Sequence, residues 1–231
     1  MNLLAIDTST DFCSVAASRG AVLFSRHEPA GQRQAERILD MVKEVLVEAQ
    51  LEFAQIQGIA YGAGPGSFTG LRIAAGVTQG LALARGIGVV GVGTLLALAE
   101  QAAEEAAEKA AGDRIIACLD AHKGEVYHAA YRRAGAGWEE VSAPGVYEPE
   151  AVPLASGGDW LGCGDGFAAY RERLLARLGE CVSAIRPETT PTARSVLKLA
   201  IARFAAGDAR DAAAALPVYL RDKVALKTSE R

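Results

Sequence analysis

The chain has 231 residues, of which half are hydrophobic, only 6% are aromatic and 25 are glycine. This length allows one large or two small domains with proper cores, and the composition is typical of closely packed α/β layers. The formal net charge of −4 disfavours a protein that grips nucleic acid on its own, because contacts to phosphates need a surplus of lysine and arginine.

No segment predicts a membrane span or a secretory signal. The nearest approach to a span, Ile87–Ala99, is interrupted by glycine and is shorter than the roughly 20 apolar residues that cross a bilayer. Met1 and Asn2 lack the basic flank and apolar core of a signal peptide. The four cysteines are widely spaced without a C-x-x-C pair, so we expect buried thiols in a reducing cytoplasm. They are Cys13, Cys118, Cys163 and Cys181.

The apolar periodicity of the first half predicts a three-stranded meander followed by alternating helices and strands. The predicted elements are strands Leu3–Ile6, Cys13–Ala17 and Ala21–His27, helix Gln32–Gln50, strand Gln57–Tyr61, a helix from Ser67 or Thr69 to Arg85, strand Gly88–Val92 and helix Leu95–Ala111. The order is β-β-β-α-β-α-β-α.

The second half repeats this order from Asp113. Its predicted elements are strands Arg114–Leu119, Glu125–Arg133 and Trp138–Tyr147, a short segment Pro149–Leu154 in place of a helix, strand Trp160–Cys163, helix Phe167–Leu178, strand Cys181–Ile185 and a helix from Thr192 to Ala206. The rest, Gly207–Arg231, reads as a tail with Val218–Leu220 as its only apolar anchor.

Repetition of a whole unit indicates two ribonuclease-H-like lobes facing one another across a cleft. We place the lobes at residues 1–112 and 113–231. Each opens with a strand that ends in an aspartate, Asp7 and Asp120, and ligands in such folds sit at the carboxyl ends of strands. The two aspartates are therefore predicted to face the cleft from opposite walls.

The stretch Tyr61–Ala75 predicts a strand, a tight turn and a helix start, with Ser67 or Thr69 as the capping residue. It lacks the lysine of a phosphate-binding P-loop and the second glycine of a hydrolase nucleophile elbow, so we interpret it as structural. The helix that follows carries Gly76, Gly80 and Ala84, each four residues after the last. Two interior glycines destabilise a helix by about 1 kcal/mol each relative to alanine. Close approach of another helix or a sheet is the simplest compensation, so this helix is interpreted as a contact surface.

Several strings resemble one known family. They are IDTST at Ile6–Thr10, AYGAGPGSFTGLRIAAG at Ala60–Gly76, GVGTLLALA at Gly91–Ala99, LDAHKGEVYHAAY at Leu119–Tyr131 and PVYLRDKVA at Pro217–Ala225. Together they resemble the bacterial TsaB (YeaZ) family, subunits of the machinery that makes threonylcarbamoyladenosine in tRNA. The resemblance implies an α/β fold of two lobes with the actin/hexokinase/Hsp70-type ATPase architecture.

The resemblance implies a non-catalytic partner protein. TsaB-like proteins pair with a homologous catalytic subunit, TsaD, which binds a metal and transfers the threonylcarbamoyl group to adenosine of tRNA. A TsaE-like ATPase joins through the complex, tRNA is contacted only indirectly, and isolated members form homodimers. The implied contact surface lies on Gln32–Gln50 and Thr69–Arg85. The interface residues we assign there are Arg33, Arg37, Met41, Ser67, Phe68, Thr69, Arg72, Gly76, Gly80 and Ala84.

The histidines give no support to a metal site. The catalytic relatives hold their metal with an H-x-x-x-H pair on the first long helix, and this chain has Gln34 near the start of that helix. Its three histidines, His27, His122 and His128, form no such pair, so we expect surface or structural roles for them and no metal.

Two loops remain as candidates for weak nucleotide contact. Hydroxyls and backbone N–H groups after the first strand suit phosphate and magnesium, although a self-satisfied polar turn explains them slightly better. A glycine cluster follows the strand Trp160–Cys163. The candidate residues are Asp7, Thr8, Ser9, Thr10, Asp120, Gly162, Gly164, Asp165 and Gly166. Gly86–Gly91 matches G-x-G-x-x-G by letter only, because it enters a strand instead of opening a helix.

The leading hypothesis is thus an interaction protein that activates a TsaD-like enzyme, with no required cofactor and at most weak binding of ADP or ATP with magnesium in the complex. The alternative is an ATP-dependent small-molecule kinase or ATPase that uses Asp7 and Asp120. A metallopeptidase is disfavoured by the histidine count.

Overall fold

The computed structural model describes residues 1–106 and 112–221 and consists of two five-stranded mixed sheets with helices against both. The strands are β1 Asn2–Asp7, β2 Phe12–Arg19, β3 Val22–Pro29, β4 Gly58–Gly64, β5 Gly88–Gly93, β6 Arg114–Asp120, β7 Val126–Ala134, β8 Gly137–Tyr147, β9 Trp160–Cys163 and β10 Val182–Arg186. The α-helices are α1 Gln34–Glu48, α2 Phe68–Arg85, α3 Thr94–Ala106, α4 Gly166–Ala169, α5 Arg171–Leu178 and α6 Ala193–Ala205.

The two sheets have the same strand order. The first runs β3-β2-β1-β4-β5 and the second β8-β7-β6-β9-β10. In each, the first three strands form an antiparallel meander, and the last two run parallel to the first strand. The predicted fold class is therefore confirmed: a duplicated ribonuclease-H-like α/β unit of the actin/hexokinase/Hsp70-type architecture.

Helices α1 and α2 cover one face of the first sheet. Their buried side chains pack with alternate residues of the strands, such as Leu4 and Ile6 of β1, in one apolar cluster. The buried stripe of α1 is Ile38, Met41, Val42, Val45 and Leu46. Leu39, which follows Ile38 of this stripe, is 47% exposed.

The last helix of each half packs on the sheet of the other half. Helix α3 shares a buried cluster with β6 and β7, through Leu95, Leu98 and Ile115. Helix α6 shares one with β1 and β5, through Val196 and Leu197. The two helices also contact each other, because Gln101 of α3 accepts hydrogen bonds from the hydroxyls of Thr192 and Ser195 at 2.8 Å. The halves are thereby tied together at two places; the boundary between residues 112 and 113 stays a prediction.

Two predicted elements differ from those observed. The helix Phe167–Leu178 is split into α4 and α5 at Tyr170, whose backbone leaves the helical region. Helix α3 begins at Thr94, one residue before the predicted start at Leu95, and the hydroxyl of Thr94 accepts a hydrogen bond from the N–H of Gly64. The predicted end of that helix, residues 107–111, lies outside the described residues.

The expectation that Val218–Leu220 is the only apolar anchor of the tail was wrong. Ala212 and Ala215 are buried in the core under α2. Arg210 also forms an antiparallel bridge with Val89 at the edge of β5. These contacts exist because small alanine side chains allow the terminal segment to lie close against the first sheet and α2. Within the described ranges, no helix has the length and apolarity needed to cross a membrane.

Candidate functional site

The glycine-rich corner between β4 and α2 is packed against the loop that follows β1. Ser67 accepts a hydrogen bond from the N–H of Gly70 and so caps α2, as predicted, while its own N–H donates to the carbonyl of Ser9. A Cβ at Gly70 would lie 1.8 Å from the carbonyl oxygen of Thr8, and one at Gly66 would lie 2.3 Å from that of Ser9. The two loops thus approach too closely for any side chain, which explains these glycines.

Gln34 fastens the same β1 loop from the other side. Its side-chain amide is buried and donates to the carbonyl oxygens of Thr10 and Phe12, the latter at 2.9 Å. Gln34, which lies near the start of the helix that carries the histidine pair in the catalytic relatives, therefore holds the backbone of the β1 loop in place. Sequence reasoning missed this role, although a glutamine at a buried position of an amphipathic helix was a signal for it.

Asp7 is sealed inside the first lobe. Its side chain is 1% exposed, and its Oδ1 accepts hydrogen bonds from the N–H and the hydroxyl of Ser9. Its Oδ2 has no partner in the part of the chain that the structure describes, and it lies against Gly62, where a Cβ would come within 1.8 Å. Burial raises the pKa of Asp7 to about 6, against the lowering effect of the Ser9 hydrogen bonds.

A cleft of about 310 Å³ lies between the two lobes. It is lined by Ser9, Thr10, Asp11, Phe12, Gly66, Ser67, Leu119, Asp120, His122, Asp165, Pro187, Glu188 and Thr190. Four predicted nucleotide-site residues meet there, namely Ser9, Thr10, Asp120 and Asp165. Asp7 and Thr8 are buried instead, and the hydroxyl of Thr8 donates to the carbonyl of Gly70.

In the second lobe, a hydrogen bond between Asp120 and Asp165 joins the end of β6 to the loop after β9. Asp165 accepts the N–H of Asp120 at 2.9 Å, and Asp120 accepts from the N–H of His122 and from the hydroxyl of Tyr170. The pKa of Asp165 is raised, first by desolvation of its carboxyl in the cleft and then by the charges of Asp120 and Asp11, even though the residue as a whole is exposed. The break between α4 and α5 is what turns Tyr170 toward Asp120.

The glycine cluster of the second lobe is explained by packing within the chain. A Cβ at Gly162 would lie 2.5 Å from the ring of Phe167, and one at Gly164, where φ is +97°, would lie 2.2 Å from the carbonyl oxygen of Cys118. Gly166 meets the same Cys118. All three glycines are buried, and their predicted contact with a nucleotide stays a prediction.

The cleft is acidic. Asp11, Asp120, Asp165 and Glu188 line it together with His122, and none of the described residues that line it is a lysine or arginine. Anionic phosphates gain affinity from positive charge, so this lining favours neutral or cationic groups. Across residues 1–106 and 112–221, no three histidine, cysteine or acidic side chains are grouped so that they could hold a metal ion.

The histidines have structural positions. His27 stacks on Phe12 at 4.5 Å and its Nε2 lies 3.0 Å from the hydroxyl of Thr190, so it joins β3 to the loop before α6. His128 is buried in β7 with neither ring nitrogen bonded within the described part of the chain, and burial lowers its pKa to about 4. His122 is exposed at the cleft, and the absence of a metal role for the three histidines stays a prediction.

The outer face of α2 carries the predicted small residues. Gly76, Gly80 and Ala84 are exposed, and a Cβ built at either glycine meets no heavy atom within 4 Å. Ser67, Thr69 and Arg72 are exposed at the start of the same helix, and two large apolar side chains lie on it, Phe68 at 41% and Leu83 at 77% exposure.

Two predicted interface residues on α1 are placed differently. Met41 has no exposed surface and lies in the core between α1 and the first sheet, so its assignment to the interface was wrong. Arg37 forms ion pairs of 2.6 Å with Glu28 and Glu44 of its own chain. Arg33 is exposed, and no carboxylate pairs with it in the described residues.

The sequence and structural relatives decide the family. Residues 27–228 match the model of the family described as TsaD: tRNA N6-adenosine threonylcarbamoyltransferase. The chain is also 36% identical to the tRNA threonylcarbamoyladenosine biosynthesis protein TsaB of Escherichia coli K12, an alignment that covers 98% of this chain and 97% of that protein. The chain belongs to the TsaB family. The TsaB protein of Haemophilus influenzae is 33% identical over 98% of this chain and 96% of its own length.

Solved structures agree with this membership. YeaZ from Pseudomonas aeruginosa superposes with a TM-score of 0.84 at 37% identity and covers 95% of this chain and 99% of its own. A second structure from that organism, described as an uncharacterized protein with similarity to peptidase YEAZ, gives a TM-score of 0.86 at 37% identity, with the same coverage. The predicted TsaB (YeaZ) membership is confirmed, and the Escherichia coli and Haemophilus influenzae relatives are named as tRNA threonylcarbamoyladenosine biosynthesis proteins.

Proposed function

We propose that this TsaB-family chain is a non-catalytic partner subunit that binds and activates a TsaD-type transferase, the enzyme that installs threonylcarbamoyl on adenosine of tRNA. Its outer α1–α2 face is the docking surface, and its own cleft carries out no reaction. A TsaE-like ATPase joins through the complex, tRNA is contacted through the catalytic subunit, and the isolated chain forms a homodimer through the same face. The site of action is the cytoplasm.

One observation carries this proposal: the two glycines in the middle of α2 pack against no other residue in the part of the chain that the structure describes. Each costs the helix about 1 kcal/mol relative to alanine. Every buried glycine described above is explained by a close contact, whereas Gly76 and Gly80 face open space. A surface helix gains from such residues when another backbone approaches closely, as a packed helix does at 8–10 Å between axes.

The chemistry of the cleft supports the non-catalytic part of the proposal. A kinase or ATPase needs a carboxylate that reaches magnesium and positive groups that hold the phosphates. Here the carboxylate of Asp7 is sealed against Gly62 and Ser9, and the cleft lining within residues 1–106 and 112–221 has acidic residues but no lysine or arginine. We expect binding of ADP or ATP with magnesium to be weak and to occur in the complex.

The experiment is native mass spectrometry of this chain co-expressed with its cognate TsaD-type subunit. The wild-type chain should form a complex, and Gly76→Leu with Gly80→Leu should abolish it by filling the space that the partner occupies. Ala202→Leu, at an exposed position of α6 away from this face, is the matched control. A complex that survives the double leucine variant contradicts the interface, and the absence of any wild-type complex contradicts the function.

A further inference from the structure

Arg72 is an exposed arginine whose side chain is held in one place. Its guanidinium carbon lies 3.9 Å from the centroid of the Phe68 ring, and its Nε donates a hydrogen bond of 3.1 Å to the hydroxyl of Tyr219. The two aromatic rings lie 5.5 Å apart. Stacking of a guanidinium on an aromatic face and a bond to Nε together fix its plane.

The fixed guanidinium has unused donors. Among residues 1–106 and 112–221, no carboxylate forms an ion pair with Arg72, and its one hydrogen bond uses Nε. The contrast is Arg37 on the neighbouring helix, which is bound by Glu28 and Glu44 at 2.6 Å. Arg72 is exposed, and a guanidinium whose terminal nitrogens are not bonded can bind a carboxylate through two parallel N–H groups. Because the side chain is already ordered, little conformational entropy is lost when such a group binds.

Tyr219, which holds Arg72 together with Phe68, belongs to a segment that lies along α2. Gln79 donates to the carbonyl of Ala215 at 3.0 Å, and the N–H of Val218 donates to the carbonyl of Ala63 at 2.7 Å. This segment, residues 212–221, also exposes Leu216 and Val218. Arg72 lies one helical turn before Gly76. The clamp formed by Phe68 and Tyr219 is thus continuous with the small-residue face of α2.

We propose that Arg72, clamped by Phe68 and Tyr219, is the receptor for a carboxylate side chain of the docked partner subunit. This inference rests on the proposed function, and it adds the chemistry of one contact and a third element, the terminal segment, to the docking face. A protein carboxylate is favoured over an RNA phosphate because backbone binding of RNA needs several cations. The neighbouring Arg221 is already paired with Glu125, and the chain carries a net charge of −4.

The test measures the affinity of the full chain for its cognate TsaD-type subunit by calorimetry at 0.1 M and 0.5 M NaCl. Arg72→Gln should weaken binding by roughly tenfold at low salt and remove most of the salt dependence, since a charge-assisted pair is lost. Arg72→Lys should give an intermediate loss, because an ammonium lacks the planar fork. Tyr219→Phe keeps the ring, removes the bond to Nε, and should cost a few-fold in affinity.

Arg171→Gln, an exposed arginine on α5 in the second lobe, is the matched control and should bind like wild type. Equal affinities of the wild-type chain and Arg72→Gln overturn the inference while leaving the proposed function intact. Loss of tRNA affinity in Arg72→Gln without loss of subunit affinity overturns it in favour of an RNA contact. A wild-type chain that binds no TsaD-type subunit contradicts the proposed function and this inference with it.

Discussion

The backbone N–H of Ala193 donates a hydrogen bond of 2.9 Å to the hydroxyl of Ser14, across 179 residues of sequence. Ala193 is the first residue of α6, in the second half of the chain, and Ser14 belongs to β2 of the first sheet. The bond holds the start of α6, a helix of the second half that packs on the first sheet, next to β2. Strand β2 pairs with β1, where Ser14 lies opposite Asp7. The core of the first lobe is therefore completed by a helix from the second half of the sequence.

Ser14→Ala should lower the free energy of unfolding by roughly 1–2 kcal/mol, because the buried N–H of Ala193 then loses its partner. Urea unfolding at neutral pH checks this. Ser156→Ala, at an exposed serine of the second lobe, should change stability by less than about 0.5 kcal/mol. Equal stabilities of the two variants would show that the bond to Ser14 contributes nothing.

Asp7→Asn should stabilise the protein at pH 7.5. The folded-state pKa of Asp7 is raised to about 6 from 3.8, so Asp7 loses its proton more easily in the unfolded chain than in the folded protein. Above pH 6 its carboxylate is charged and buried in the folded state, which lowers the free energy of unfolding. The cost is about 3 kcal/mol at pH 7.5 and about 1 kcal/mol at pH 4.5. The advantage of the asparagine variant should therefore shrink as the pH falls through 6. A stability difference that is the same at both pH values would refute this description of Asp7.

His128→Leu should flatten the acid limb of the stability profile. The folded-state pKa of His128 is lowered to about 4 from 6.5, so below pH 6.5 the unfolded chain binds a proton at this residue before the folded protein does. The wild-type protein therefore has its full stability above pH 6.5 and loses stability as the pH falls from there toward 4. The expected loss for the wild-type chain between pH 7.5 and 5.0 is about 2 kcal/mol. Unfolding curves of both proteins at the two pH values give the result, and parallel profiles would rule out a buried neutral histidine.

Gly76→Ala with Gly80→Ala should stabilise the isolated chain by about 1 kcal/mol at each position, since alanine is the better helix former and the added Cβ meets nothing. Thermal unfolding at low protein concentration, where self-association is weak, measures this. The matched comparison is Gly70→Ala, where the new methyl group would collide with the carbonyl of Thr8. That variant should be destabilised, and stabilisation of both would contradict the packing described for α2.

Most of the fold could be predicted from local sequence patterns. Turn residues and apolar periodicity placed the strands and helices of both halves, and repetition of their order gave the two lobes. Met41 was misassigned to the interface because periodicity alone does not show where the buried stripe of an amphipathic helix ends. Met41 is buried, whereas Leu39, two residues earlier, is exposed. The structure settles the choice through the packing of α1 on β2.

The long-range contacts could not be predicted from local sequence. The exchange of α3 and α6 between the sheets follows from tertiary packing of apolar faces that look alike in sequence. The contact of Arg72 with Tyr219 joins residues 147 positions apart. The sealing of Asp7 depends on Gly62 of the neighbouring parallel strand, and a polar D-T-S-T turn reads the same whether its aspartate points into a cleft or into the protein.

The most direct test of the central claim is reconstituted formation of threonylcarbamoyladenosine in tRNA by the cognate TsaD-type subunit, the TsaE-like ATPase and the enzyme that makes threonylcarbamoyl-adenylate, with this chain added. We predict that the wild-type chain and the cleft variant Asp120→Asn with Asp165→Asn both support product formation. Gly76→Leu with Gly80→Leu should not. Loss of activity in the cleft variant, together with full activity of the double leucine variant, would contradict the account.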